Sequence, residues 1–162
     1  IARAKDIVDN ARSMVGHELT PVFTHRDVKP DNVLVTPTSP LLVDWDGAGL
    51  DVAEWEATRA ALAFSRTTTS WDRDAFATVL RAYAAAGGRT IAPRGESFAG
   101  QLRAQLSGAA WMLFRALGHR PVSPTERAAA HEHALELLAA LSASLPRMEQ
   151  WTRWLHEITR SL

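Results

Sequence analysis

Two short apolar runs, Val33-Leu34-Val35 and Leu41-Leu42-Val43, are separated by residues 36–40, a stretch rich in Pro, Thr and Ser. Apolar runs of this length joined by such a turn predict a β-hairpin. A hairpin returns the chain to its starting point, so whatever enters it meets whatever leaves it. The entering segment is crowded with His25, Arg26, Asp27, Lys29, Asp31 and Asn32, and the leaving residue is Asp44. Charged groups are costly near a core unless they are paired or bind something. This window therefore marks the candidate site.

The flanking periodicity is helical. Ile1, Ala4, Ile7, Val8, Ala11, Met14 and Val15 recur at the three-and-four spacing of a buried helix face, with Gly16 as a C-terminal stop. Pro21 then opens a short β-like run, Val22-Phe23-Thr24. Beyond Asp44, residues 51 to about 65 are rich in Ala and Glu and predict a helix. A second helix is expected from a Ser70 cap, with Asp72 and Asp74 in its first turn and Gly87-Gly88 as its stop. Phe98 to Leu117 predicts a third. "SPTE" at residues 123–126 is a capping box that starts a fourth, which Pro146 should end. A last helix covers roughly residues 147–161. The expected fold class is α+β, mainly helical, with a single domain over residues 1–162.

Composition excludes several classes. Lys plus Arg equals Asp plus Glu at 18 each, which argues against a dedicated nucleic-acid binder. The absence of cysteine excludes disulfides and thiolate metal sites. No apolar run approaches membrane-spanning length, and no stretch resembles a signal peptide. The expectation is a cytoplasmic protein with neither nucleic acid nor membrane as partner. The chain begins at Ile1, already inside a helical pattern, so a piece of a longer protein is expected.

Asp27, Asn32 and Asp44 converge at the mouth of the hairpin. Two carboxylates and a carboxamide oxygen suit Mg²⁺, a hard cation that needs only a few protein oxygens when water and phosphate complete its shell. A group beside the metal can accept a proton from an attacking hydroxyl. "HRDVKPDN" followed by "LLVDWDGAG" resembles the catalytic loop and metal-binding segment of the protein-kinase-like fold, H-R-D-x-x-x-x-N with a later D-F-G. His25, Arg26, Asp27 and Asn32 match by position. Asp44 stands at the D-F-G Asp, with Trp45 and Asp46 in place of Phe and Gly. The resemblance implies Asp27 as catalytic base, Asn32 and Asp44 as Mg²⁺ ligands, and ATP as phosphoryl donor.

No A-P-E follows, and only six residues separate Asp44 from Asp51. The "DWDGAG" form is similar to the "DW-x-x-A-G" segment of the aminoglycoside phosphotransferase and choline kinase superfamily. That superfamily more often has Gly where Arg26 stands. The resemblance covers the C-terminal lobe alone. It implies that the partner N-terminal lobe, with its nucleotide-covering loop and Lys, is missing from this chain, which alone should be inactive. The implied activity is phosphoryl transfer to a hydroxyl of a small-molecule acceptor. An aminoglycoside antibiotic leads, and choline, homoserine, a macrolide or a sugar are the alternatives. A non-catalytic nucleotide-binding module is the reading from a different class.

The remaining residues carry two readings each. His25 reads first as a core histidine bracing the loop, and otherwise as a base or an outer support of the metal. Arg26 reads as a structural salt bridge, since no phosphorylated segment is there to grip. Lys29 is either a contact to the transferred phosphate or a solvated lysine. Asp46 is either an outer support of the metal or a turn residue, and Asp31 reads as a solvated turn residue. Asp51, Glu54 and Glu56 form either a solvated helix face or carboxylates that hold a cationic acceptor. His131 and His133 point about 200° apart on a helix, which disfavours a shared metal. Trp151 and Trp154, three apart, read as core.

Overall fold

Ala4, Val8 and Ala11 lie on one face of α1 (Ala2–Ser13), and all three are buried. The chain then turns at Gly16, whose φ of 90° is a left-handed conformation that costs glycine little. The computed structural model describes residues 1–120 and 123–161. Four short strands follow α1: β1 (Pro21–Thr24), β2 (Val33–Val35), β3 (Pro40–Leu42) and β4 (Gly49–Val52).

β2 and β3 pair antiparallel, with Leu34 opposite Leu41. Their turn closes on Thr36, whose hydroxyl donates to the Ser39 carbonyl at 2.6 Å and accepts from the Ser39 N–H at 3.1 Å. β1 pairs antiparallel with β4, with Pro21 opposite Val52 and Thr24 opposite Gly49. This nesting decides the site. The connection from β1 to β2 (residues 25–32) and the one from β3 to β4 (residues 43–48) must both run between the two ribbons.

β4 corrects one expectation. Asp51 was expected to open a helix, but it lies in β4, and α2 (Ala53–Phe64) begins two residues later. Pairing with β1 occupies this backbone, and the Asp51 side chain accepts from the Val52 N–H at 2.8 Å. A second correction concerns the next helix, α3 (Arg73–Ala85). Its cap is Asp72, which accepts from the Ala75 N–H at 2.7 Å. Ser70 is committed to a preceding turn, where its N–H donates to the Thr67 hydroxyl.

α4 (Ala99–Ala116), α5 (Pro124–Ser144) and α6 (Met148–Thr159) complete the chain. Ser123 and Glu126 form both halves of the capping box at the start of α5. Pro146 sits in the short turn (Leu145–Arg147) between α5 and α6. The helices bury one aromatic and aliphatic core: Phe76 and Leu80 from α3, Leu102 from α4, Leu141 from α5, and Trp151, Leu155 and Ile158 from α6. The Trp151 ring meets Trp71 edge-on, with centroids 4.9 Å apart. Trp154 is half-buried against the same core. The fold is thus mainly helical α+β, with two small two-stranded ribbons at one end of the sequence.

α4 approaches α2 closely at Gly100. A Cβ there would lie 2.9 Å from Trp55 Cβ and 3.0 Å from the Trp55 carbonyl oxygen. Neither atom is the free end of a flexible side chain. Gly100→Ala gains about 1 kcal/mol of helix propensity but forces overpacking that costs about 1–3 kcal/mol. The expected result in urea denaturation is a net loss of stability, against the usual direction of a glycine-to-alanine change in a helix.

Candidate active site

The site is assembled around a buried imidazole. His25 is 2% exposed and follows directly after β1. Its Nδ1 accepts from the Asp27 N–H at 3.3 Å, so its proton sits on Nε2, which donates to the Val43 carbonyl at 2.8 Å. Trp45 packs edge-on against the ring at 4.7 Å between centroids, and its own Nε1–H donates to the Leu42 carbonyl at 2.9 Å. His25 thus ties the residues around Asp27 to those around Asp44. The geometry fits a bracing histidine, since both ring nitrogens are committed to backbone. A second tie runs from the Val43 N–H to the Asn32 carbonyl at 2.9 Å.

Asp27 is half-buried and surrounded by donors. Arg59 from α2 pairs with Oδ1 at 2.7 Å, Lys29 pairs with Oδ2 at 2.7 Å, and Asn32 Nδ2 donates to Oδ2 at 3.1 Å. Burial pushes the carboxyl up, but the Lys29 bond, the charges of Arg59 and Lys29, and the Asn32 bond outweigh it. The net effect holds the group below its ordinary value of 3.8. At neutral pH Asp27 is an ionised, weakly basic acceptor, suited to orienting a hydroxyl. Arg59 also donates to the Arg26 carbonyl. Sequence reasoning missed Arg59. The one available signal was its place three residues after Glu56, which puts both on one helix face.

The Asn32 amide nitrogen is spent on Asp27, through its carbonyl at 2.9 Å and its carboxylate. Its Oδ1 makes no hydrogen bond to another described residue, although the side chain is buried. Asp44 is exposed, forms no ion pair with a described residue, and holds a left-handed backbone with φ 66° and ψ 59°. The ties through Val43 hold the backbone of Asn32 against the residue that precedes Asp44. The Asp44 carboxylate and the Asn32 Oδ1, neither with a partner among the described residues, are oxygens of the kind Mg²⁺ takes. Among the described residues no group of three or more His, Cys, Asp or Glu is arranged to hold a metal. Asp46 is exposed in the turn Trp45–Gly47 that follows.

Arg26 also has a left-handed backbone, with φ 67°. Such a conformation costs a non-glycine residue about 1–2 kcal/mol. Three bonds hold it there: its N–H donates to Glu56, its carbonyl accepts from Arg59, and its guanidinium donates to the Leu50 carbonyl. The expected salt bridge is therefore corrected, because the guanidinium caps a strand carbonyl and meets no carboxylate among the described residues. Gly49 leaves room for it, since a Cβ there would come within 3.0 Å of the Arg26 Cζ.

The three acidic residues Asp51, Glu54 and Glu56, which follow Asp44, do not form a solvated helix face. Asp51 and Glu54 are buried, and Asp51 pairs with Arg103. Glu54 lies about 140° around α2 from Arg59, and its Oε2 is buried without a hydrogen-bond partner among the described residues. Glu56 accepts from Arg26; burial raises its carboxyl above the ordinary 4.5, against that bond. None of the three lines the cavity of about 410 Å³ beside Asp27, which is walled by Lys29, Asp31, Arg59, Arg66, Trp71 and Gln101 among others. His131 and His133 are exposed, and His133 pairs with Glu136 at 3.0 Å.

Residues 1–98, more than half of the chain, match APH, the phosphotransferase enzyme family. The chain belongs to this family. The match contains Asp27, Asn32 and Asp44 and ends at the residue before α4. No curated protein and no solved structure matched the chain.

The electrostatics around Asp27 are testable. Its folded pKa lies below the unfolded 3.8. The stability it contributes is present above 3.8 and is lost as pH falls through the lower folded value. Arg59→Ala removes one of the lowering charges, so the Asp27 carboxyl should titrate at higher pH in a carbon-13 NMR titration. The same variant should lose on the order of 1 kcal/mol at neutral pH in urea denaturation.

Proposed function

We propose that the protein catalyses Mg²⁺-dependent transfer of the γ-phosphoryl group of ATP to a hydroxyl of a small molecule. The observation that carries this reading is the joining of Asp27, Asn32 and the Asp44 segment around His25, inside the residues matched to the phosphotransferase family. Asp27 accepts the hydrogen bond of the acceptor hydroxyl and aims its oxygen at phosphorus. Its low basicity suits a transfer in which positioning and charge compensation, rather than strong base catalysis, lower the barrier. Asn32 and Asp44 would hold Mg²⁺, which when bound neutralises charge on the nucleotide phosphates. Lys29, now paired with Asp27, is near enough to turn its ammonium to the transferred phosphate.

The chain is read as the C-terminal lobe of a protein-kinase-like enzyme, with an N-terminal lobe supplying the other half of the nucleotide site. The strands support this, since Phe23, Leu34, Val35, Leu41 and Leu50 are all exposed large apolar residues on the two ribbons. The isolated chain is then expected to be inactive, and the tests below use the full-length protein.

Asp27→Asn should lower kcat for phosphoryl transfer by roughly 10²–10⁴ while leaving the melting temperature within a few degrees. Asp44→Asn tolerates the left-handed backbone but removes the charge, so it should raise the Mg²⁺ concentration needed for half-maximal rate. Coupled ADP-release assays read both. Full activity in Asp27→Asn would sink the reading.

A further inference from the structure

The cavity beside Asp27 is walled by three cations, Lys29, Arg59 and Arg66, against the two carboxylates Asp27 and Asp31. Asp27 already serves both Lys29 and Arg59. Arg59 also lines a second cavity of about 450 Å³, together with Arg26 and Arg103 and with no carboxylate among the described residues. Of the two carboxylates only Asp31 lacks an ion pair with a described residue, whereas Arg26 and Arg66 are both unpaired among the described residues, so an acceptor bearing several ammonium groups would meet more uncompensated positive than negative charge.

Arg66 differs from its neighbours. It forms no ion pair with a described residue, and its guanidinium lies 5.6 Å from the Trp71 ring centroid. That ring is itself fixed edge-on against fully buried Trp151. The loop carrying Arg66 is closed by a backbone bridge between Arg66 and Trp71 and by the Asp72 N–H bond to the Ser65 carbonyl at 2.7 Å. A guanidinium placed over an anchored ring, with no side-chain hydrogen bond to a described residue, is prepared for a carboxylate or phosphate.

We propose that the acceptor is a small hydroxylated anion, whose carboxylate or phosphate binds Arg66 while its hydroxyl reaches Asp27. The proposal rests on the phosphotransferase reading above and names the substrate class for that site. It sets the charge of the site against an aminoglycoside, which is a polycation.

Isothermal titration of the full-length protein tests this. The protein is first saturated with MgADP, so that nucleotide-phosphate sites are filled. It is then titrated separately with D-glycerate, glycerol 3-phosphate and neamine, a carboxylate, a phosphate ester and a polycation. At least one anion should bind more tightly than neamine, and which of the two wins identifies the anionic group. Arg66→Ala should weaken that anion by about tenfold or more, the loss of one charge-assisted paired contact. Arg66→Lys, which keeps charge without the planar fork, should fall between. Tighter binding of neamine, or anion binding indifferent to Arg66→Ala, overturns the proposal. So does an Arg66→Ala variant that loses MgADP instead, because Arg66 would then serve the nucleotide. Failure of MgADP to bind, with anion binding still dependent on Arg66, would sink the phosphotransferase reading and leave the anion site standing.

Discussion

The imidazole of His25 joins the two connections from which the candidate site is made. Each runs between the paired ribbons, and neither has regular structure to fix it for its whole length. One ring nitrogen accepts from the backbone of Asp27, and the other donates to the backbone just before Asp44. Because the ring is buried, both bonds operate away from competing water, where leaving either unmade would cost about 1–3 kcal/mol. Trp45 closes over the ring and ties itself back to Leu42. The two connections are thus held to each other through backbone groups.

α2 supplies the second constraint. Arg59 reaches the Arg26 carbonyl and Asp27, while Glu56 accepts from the Arg26 N–H. The helix therefore grips both ends of one strained residue and sets the charge on the next. Two left-handed non-glycine residues, Arg26 and Asp44, flank the site. Such backbone persists where surrounding bonds over-determine it, and for Arg26 those bonds are visible. The same position is cheap for glycine, which gives a physical reason why a related enzyme would place glycine there.

Local patterns made much of this readable from the sequence. The two apolar runs, the Ser123–Glu126 capping box and the spacing of Asp27 and Asn32 all act within a few residues of themselves. β4 escaped because Gly49-Leu50-Asp51-Val52 carries no alternation strong enough to stand against the Ala- and Glu-rich run behind it. Its partner, β1, lies more than twenty residues away. Ser70 and Asp72 are both good caps, and only the turn at Thr67 decides between them. Asp51 looked like a surface acid because its partner, Arg103, is 52 positions further on. Arg59 and Arg66 were invisible for the same reason: their meaning comes from a loop and a ring that the fold delivers to them.

On the proposed function, Asn32 and Asp44 together hold one divalent cation beside Asp27. Paramagnetic broadening by Mn²⁺, in the presence of ADP and on nitrogen-15-labelled full-length protein, tests it most directly. The amide signals of Asn32, Val43 and Asp44 should broaden first at substoichiometric Mn²⁺, and Asp44→Asn should remove the effect. Broadening centred elsewhere, for example at the buried carboxylate of Glu54, with these three signals intact, would contradict it.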